Sequence, residues 1–116
     1  MIVISESAKH ALEKGRQVGA TVERILGGEI TWVSLAIQKY AGEYFSHVDI
    51  IKNSNIPSGK YELDKTMACT TVGGAVGFIE KLIAGIAIDV ELGSLKGQRI
   101  FNPTAETIIR TEDGVR

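Results

Sequence analysis

Hydrophobic residues recur at helical spacing in the first 26 positions, and charged residues fill the positions between them. The apolar positions three or four residues apart are Ile4, Ala8, Ala11, Leu12, Val18, Val22, Ile25 and Leu26. Ser5 is a natural N-cap, because its hydroxyl can accept a hydrogen bond from a backbone N–H of the first turn. Gly27-Gly28, directly after the last periodic residue, supplies a left-handed stop. The pattern predicts an amphipathic N-terminal helix between Ser5 and Gly27.

Gly15 and Gly19 lie on the apolar stripe of that predicted helix. Each glycine costs about 1 kcal/mol of helix stability relative to alanine, so the pair indicates a site where another backbone approaches closely. Packing against a sheet is the favoured interpretation, and a dimer seam is the alternative.

The hydrophobic period changes to two after Gly28, which is typical of β-strands. We predict strands at residues 30–37, 48–51, 60–64, 66–72, 86–92, 99–101 and 107–110. Residues 86–92 show the cleanest alternation, and residues 53–59 are dense in turn formers. Residues 39–46 contain Gly42 and three aromatic rings, and they are predicted to form an irregular connection.

Residues 73–85 fit two structures. They form either a helix or, if Gly73-Gly74 closes a hairpin, a further strand; the helix is favoured because residues 80–82 are good helix formers. The order of elements then predicts a single α+β domain over residues 1–116, with the N-terminal helix and a second helix packed on a mainly antiparallel sheet. Most connections between the strands are too short for parallel crossovers.

Composition narrows the class of protein. The chain has 13 basic and 14 acidic residues in 116, and this balance argues against a nucleic-acid module that depends on a strong positive field. The longest apolar run, residues 82–88, has seven residues, whereas a membrane span needs about 20. The apolar start lacks a basic leader and is followed at once by Glu6 and Lys9, so no signal peptide is predicted. We therefore expect a soluble, cytoplasmic domain without nucleic-acid or membrane partners.

Cys69 is the only cysteine, which excludes a disulfide framework or a multi-cysteine metal site within one chain. Burial in the core is its favoured role, because cysteine is among the most buried residue types. It could also be a metal or cluster ligand shared across subunits. A third role is a nucleophile, with the thiolate favoured by a helix that starts near Gly73-Gly74. A nucleophile needs a base, and His10 and His47 can approach Cys69 only through folding.

Residues 46–49 contain serine, histidine and aspartate in an order unsuited to a catalytic triad. On a strand, His47 and Asp49 share one face, so Asp49 could hold one tautomer of the imidazole. Ser46 points to the other face and cannot be activated by that imidazole. A solvated strand face is the favoured interpretation, and His10 is likewise expected to be exposed on the polar side of the first helix.

Two further patterns each have a chemical and an ordinary interpretation. Backbone amides in the glycine-rich residues 70–77 could cradle a phosphate at a strand-to-helix junction, but the segment matches neither the Walker loop nor the dinucleotide fingerprint. Glycines needed for tight turning are favoured there. Asp89 and Glu91 share a predicted strand face and could act as a carboxylate pair, although alternate charges on a half-exposed strand are the more usual case.

Four aromatic residues fall within fourteen positions, namely Trp32, Tyr40, Tyr44 and Phe45. They could line a ligand groove or a subunit contact, since tyrosine and tryptophan are enriched at interfaces. Filling of the core around a small sheet is the favoured alternative.

Residues 2–8 lead into a helix, and residues 85–90, Gly97 and residues 101–105 contain glycine–Ile–Ala–Ile–Asp and Phe-Asn-Pro patterns. These motifs resemble those of A-type iron–sulfur carriers, the HesB-like family. The resemblance implies a HesB-like fold and a homodimer. That family holds its iron or cluster with three cysteines, one in mid-chain and a Cys-x-Cys pair beyond the Asn-Pro. Residues 104–116 contain no cysteine, so no ligand residue is carried over.

No set of side chains in the sequence indicates a catalytic site, and the sequence therefore favours a non-enzymatic protein over an enzyme. We expect a small non-enzymatic α+β domain, without a cofactor, that acts through self-association or binding of a protein partner. A HesB-like protein that has lost its cluster ligands fits this expectation. One alternative is an iron or iron–sulfur carrier to which each subunit contributes Cys69. Another is an enzyme that uses Cys69 near the glycine-rich strand-to-helix turn.

Overall fold

A computed structural model describes residues 1–95 and 97–104 and the backbone of residues 109–110. Its elements are β1 (Ile2–Ile4), α1 (Glu6–Glu13), β2 (Val18–Leu26), β3 (Glu29–Tyr40), β4 (Glu43–Lys52), β5 (Leu63–Cys69), α2 (Val72–Leu82), β6 (Val90–Ser94) and β7 (Ile109–Arg110). A short 3-10 turn, Asn53–Asn55, follows β4. The order of strands and helices confirms the predicted α+β class.

Within the described residues, one sheet of seven strands has the spatial order β1-β6-β2-β3-β4-β5-β7. β2 to β5 form an antiparallel meander, and β6 runs antiparallel to β2. The sheet is mixed, because β1 pairs in parallel with β6 and β7 pairs in parallel with β5. The longest ladder joins β3 and β4, from Thr31 opposite Lys52 to Tyr40 opposite Glu43. The prediction of a mainly antiparallel sheet is confirmed.

The two faces of the sheet differ in what covers them. Both helices pack on one side, which we call the helix face. Its core contains Leu12 of α1, Ile79 of α2 and the strand residues Val33, Leu35, Ile37, Val48 and Ile50. The other side, which we call the open face, carries a smaller cluster of Ala36, Phe45, Ala68 and Phe101. Residues 99–103, the cover segment, bring Phe101 against the centre of this open face.

The predicted helix between Ser5 and Gly27 is wrong beyond Glu13. The Ser5 hydroxyl accepts a hydrogen bond from the Ala8 N–H at 3.2 Å, but the chain leaves the helix at Gly15 with φ +78°. The following residues form β2, whose full length pairs with β3. Their apolar positions fit a period of two as well as a helical one, and long-range pairing decided between the two.

Gly27 and Gly28 form a two-residue hairpin turn between β2 and β3 rather than a helix stop. Their φ values of +60° and +79° match the turn type that suits the twist of paired strands. The predicted irregular connection at residues 39–46 is wrong for a related reason. Ala41 and Gly42, at φ 53° and 82°, close a second two-residue hairpin, so β3 and β4 run almost without interruption.

The remaining predicted helix and strand boundaries agree only in part with the structure. The helix alternative for residues 73–85 is confirmed by α2, whose N-cap Thr71 accepts a hydrogen bond from the Gly74 N–H at 2.9 Å. The predicted strands at 30–37 and 48–51 lie within β3 and β4. The two predicted strands between residues 60 and 72 are one shorter strand, β5.

The second half of the chain shows two more differences. Residues 86–89 precede β6 and join no ladder, because the partner strand β1 begins opposite Val90. Residues 99–101 are not a strand; they belong to the cover segment. Of the predicted strand at 107–110, β7 supplies the last two residues, and residues 107–108 lie outside the described part of the chain.

Candidate binding groove

The His47 side chain is buried, with 4% of its surface exposed, on the open face of β4. Its Nδ1 lies 2.6 Å from Thr66 Oγ1 on β5, and its Nε2 lies 2.8 Å from Asp49 Oδ2. The Phe101 ring of the cover segment stacks on the imidazole at a centroid distance of 4.9 Å and an angle of 3°. The favoured interpretation of a solvated strand face is therefore wrong, because the cover segment excludes water from this position.

The surroundings of His47 restrict what it can do. Both ring nitrogens have hydrogen-bond partners and one ring face is covered, so neither nitrogen is open to a hydrogen bond with a ligand. Because a carboxylate only accepts hydrogen bonds, Nε2 donates to Asp49. The two residues do share one strand face, as predicted, and the same hydrogen bond that fixes the imidazole tautomer also positions the Asp49 carboxylate.

Asp49 lines a groove of about 340 Å³ on the open face. The other lining residues are Trp32, Ser34, Ile51, Ile56, Tyr61 and Ile100. β3 and β4 supply the floor, the connection between β4 and β5 supplies one wall, and the cover segment supplies the other. The groove is mostly apolar, with one carboxylate, of Asp49, and two hydroxyls, of Ser34 and Tyr61, which is the usual make-up of a small binding site.

Hydrogen bonds fix the polar atoms of the groove floor. Trp32 Nε1 donates to Asn53 Oδ1 at 3.1 Å, which holds the indole ring in place. Ser34 Oγ lies 3.0 Å from Thr21 Oγ1 on the neighbouring strand. Asp49 Oδ1 has no partner among the described residues, because only Oδ2 contacts His47. One carboxylate oxygen is therefore left to accept a hydrogen bond from a ligand.

Large apolar side chains are exposed beside the groove. Tyr61 is 48% exposed and Ile56 49% on one wall. Ile30 (39%) lies two residues before Trp32 on the same face of β3, and Ile25 (73%) lies opposite Ile30 on β2. Exposed apolar residues that lie near one another mark an interaction surface more often than isolated apolar residues do.

The charge on this face is negative. Asp64 lies opposite Asp49, and Glu23 lies opposite Trp32. No lysine or arginine occupies an open-face position of β2, β3, β4 or β5, as their alternation and register show. The groove therefore favours a ligand that combines apolar surface with a positive charge.

Cys69 lies at the other side of the sheet. Its side chain is 2% exposed and belongs to the core of the helix face. It pairs in register with Tyr44, whereas His47 points to the open face, and His10 is exposed on α1. The structure therefore does not bring Cys69, His10 and His47 together. Within the described residues, no group of three or more His, Cys, Asp or Glu side chains is arranged to hold a metal ion.

The other predicted site residues are dispersed. Ser46 points to the helix face and donates to the Ala75 carbonyl oxygen at 2.7 Å. At the glycine-rich junction, one of the backbone N–H groups of α2 is taken by the Thr71 cap. Asp89 precedes β6 and pairs with the amino group of Met1 at 2.5 Å, so the predicted strand face shared by Asp89 and Glu91 is wrong.

The four clustered aromatic residues do not form one group. Trp32 lines the groove, and Phe45 joins the small cluster under Phe101. Tyr40, 46% exposed, lies with its ring 6.3 Å from that of Phe45. Tyr44 faces the helices and donates a hydrogen bond to Glu13 Oε2 at 2.7 Å. Of these four rings, Trp32 alone lines the groove.

Comparison of the chain with models of known protein families, with curated proteins and with solved structures gives no significant match. None of the helices in the described ranges has the length and apolar character required to cross a membrane.

Proposed function

We propose that the chain is a non-enzymatic binding module whose groove holds an exposed segment of a partner protein, with an apolar side chain next to a lysine or arginine. The observation that carries the proposal is the Asp49 carboxylate, which is positioned by buried His47 inside an apolar groove on a face without basic strand residues. This function agrees with the expectation of partner binding from the sequence.

The groove can contact both the apolar side chain and the basic side chain of that segment. Trp32, Ile51 and Ile100 offer apolar surface that an aliphatic side chain would remove from water. Asp49 Oδ1 would accept a charge-assisted hydrogen bond from the lysine or arginine. A purely apolar segment would leave this carboxylate partly desolvated and unpaired, which disfavours it.

Trp32 makes the test direct, because it is the only tryptophan and it lines the groove. The probes are two acetylated and amidated peptides, Gly-Leu-Lys-Leu-Gly and Gly-Leu-Glu-Leu-Gly, titrated while tryptophan emission is recorded. We expect a saturable change with the lysine peptide and none with the glutamate peptide. The Asp49→Asn variant should weaken binding of the lysine peptide roughly tenfold, and Glu6→Gln on α1, away from the groove, should not.

Equal responses to both peptides, or an unchanged affinity of Asp49→Asn, would contradict the proposal. Emission of Trp32 that changes with protein concentration alone would instead assign the groove to a second copy of this chain. Sedimentation of the protein without peptide distinguishes these two outcomes, since only self-association raises the mass.

The alternatives that rest on Cys69 have less support. A shared cluster needs the thiol to reach a partner subunit and a nucleophile needs it to reach a substrate, and burial within the helix-face core opposes both. The resemblance to A-type iron–sulfur carriers, a homo-oligomeric state and a cytoplasmic location stay predictions.

A further inference from the structure

A second and larger concavity, of about 480 Å³, lies where the turn after α1 meets the end of β6 and the cover segment. Its lining residues include Arg16 and Arg99 and the glutamines Gln17, Gln38 and Gln98. Among the described residues that line this cleft, none carries a carboxylate or a large apolar side chain. It therefore differs in chemistry from the groove at Trp32 and Asp49.

Two buried amides give the cleft a fixed floor. Gln17 Oε1 accepts hydrogen bonds from the backbone N–H groups of Ile100 at 2.7 Å and Phe101 at 3.2 Å. Its Nε2 donates to the Phe101 carbonyl oxygen at 2.9 Å and to Gln38 Oε1 at 2.8 Å. Gln38 Nε2 in turn donates to the Gly15 carbonyl oxygen at 3.0 Å. This network connects Gln17, the residue after Arg16, to Ile100 and Phe101, the two residues after Arg99.

The two arginines lack partners in the described part of the chain. Neither guanidinium forms an ion pair or hydrogen bond with another described residue. Glu13, near Arg16 in sequence, is occupied by Lys39 Nζ at 2.9 Å and by the Tyr44 hydroxyl at 2.7 Å. Two guanidinium groups that face one cleft repel each other unless an anion lies between them.

We propose that this cleft binds a small phosphorylated metabolite, with its phosphate monoester held by Arg16 and Arg99. Arginine binds phosphate through paired N–H groups, which suits a doubly charged oxyanion better than a single point charge would. The glutamine-rich lining suits a body rich in hydroxyl groups rather than an aromatic base. The volume lies within the range of small-molecule sites.

The test is a nuclear magnetic resonance titration of the whole chain with four probes: ribose 5-phosphate, inorganic phosphate, ribose and malonate. We expect ribose 5-phosphate to shift the amide signals of residues 15–17 and 97–99, and ribose to shift none. Arg16→Gln and Arg99→Gln should each weaken binding about tenfold or more. Arg24→Gln is the matched control, because that guanidinium bonds the Ala87 carbonyl oxygen at 3.1 Å, outside the cleft.

Circular dichroism of each variant shows that it is folded, and Arg16→Lys should retain part of the affinity because the charge remains. The proposal is overturned if ribose 5-phosphate produces no shifts at millimolar concentration, or if all three glutamine variants bind alike. Malonate binding as tight as ribose 5-phosphate overturns the assignment to a phosphate. None of these readouts depends on the groove at Asp49, so the two proposals fail separately.

Discussion

Gly19 lies where β2 passes beneath the cover segment, and it has no room for a side chain. An added Cβ would overlap the backbone carbonyl oxygen of Leu35 and would approach Ile100 Cδ1 to 3.0 Å and Ala36 Cβ to 3.1 Å. Backbone atoms cannot move aside as a flexible side chain can. The close approach that the sequence indicated for this glycine is thus present, although Gly19 lies in a strand rather than in the predicted helix.

Gly19→Ala should lower the free energy of unfolding by about 1–3 kcal/mol, as overpacking does in other cores. The measurement is urea denaturation followed by circular dichroism. Gly93→Ala is the matched control, because Gly93 is paired with Gly19 across β2 and β6 and an added Cβ there has no neighbour within 4 Å. Equal losses in the two variants would show that strand propensity, not crowding, sets the cost.

Glu13 connects α1 to the β3–β4 hairpin through Lys39 and Tyr44. Hydrogen bonds from these two side chains hold the pKa of the Glu13 carboxyl below its usual value. A lowered folded-state pKa means that the ionised carboxylate stabilises the fold above its unfolded pKa, and that this contribution is lost as the pH falls through the folded pKa.

Glu13→Gln should therefore reduce the loss of stability on acidification from about pH 7 to about pH 3.5. The urea midpoint at the two pH values gives the comparison. Glu62→Gln, at an exposed glutamate whose carboxylate has no partner among the described residues, serves as the control and should behave as the unaltered chain does. The same acid sensitivity in Glu13→Gln and the unaltered chain would contradict the role of Glu13.

At the scale of elements, the two hairpin turns of the meander differ in one position. Gly27-Gly28 and Ala41-Gly42 both have positive φ at two successive residues, but Ala41 carries a Cβ in the left-handed region, at φ 53°. A side chain costs energy in this conformation, and asparagine tolerates it better than alanine.

Ala41→Asn should raise the free energy of unfolding by about 0.5–1 kcal/mol, because Asn-Gly is the preferred pair for this turn. Thermal denaturation measures the change. Gly42→Ala should have the opposite sign, since it places a second Cβ in the left-handed region. A loss of stability in Ala41→Asn would mean that contacts of the Ala41 methyl group outweigh its backbone strain.

Sequence patterns predicted elements well where only one period fitted. Residues 30–37 alternate and lie within β3, and the good helix formers at residues 80–82 marked a helix that the structure contains. Val18 to Leu26 fitted both periods, and only the ladder to β3 decided for a strand. Residues 86–89 alternate without a ladder partner, since a three-residue β1 is too short to reach them. Which strand a segment pairs with depends on residues far away in the sequence, so local periodicity does not reveal it.

The candidate sites were harder to predict for the same reason. His47 and Asp49 were placed on one face by strand geometry alone, but their burial depends on Phe101, more than fifty positions away in the sequence. Ile56, Tyr61 and Ile100 reach the groove from two connections whose paths the sequence does not specify. The sequence did contain one signal for the groove. Trp32 and Ser34 occupy the positions of β3 that alternate with its core residues and therefore lie on the opposite face of the strand.

At the scale of the whole molecule, Gln17 joins the first half of the chain to the cover segment. It is 7% exposed and makes hydrogen bonds to the backbone of Ile100 and Phe101 and to the side chain of Gln38. The Gln17 side chain thus holds the cover segment in place. That segment covers His47 and forms one wall of the groove and one wall of the cleft.

Gln17→Ala should lower the free energy of unfolding by about 1–3 kcal/mol, because it leaves buried backbone groups without partners. Hydrogen exchange should show a selective loss of protection at the Ile100 and Phe101 amides, which donate to Gln17. Gln98→Ala, at an exposed residue, is the control for stability. Uniform loss of protection throughout the sheet would show that Gln17 supports the whole fold rather than this segment.

The parallel pairing of β1 with β6 has a consequence for synthesis of the chain on the ribosome. β6 lies between β1 and β2 in the sheet, yet it follows both strands by more than sixty residues in the sequence. Neither β1 nor β2 can therefore pair with β6 until Val90–Ser94 has left the exit tunnel. The β2–β5 meander can form earlier, since its contacts are local. During that interval Val18 and Gly19, the β2 residues that pair with β6, lack this partner, and a neighbouring nascent chain can occupy the place that β6 takes later.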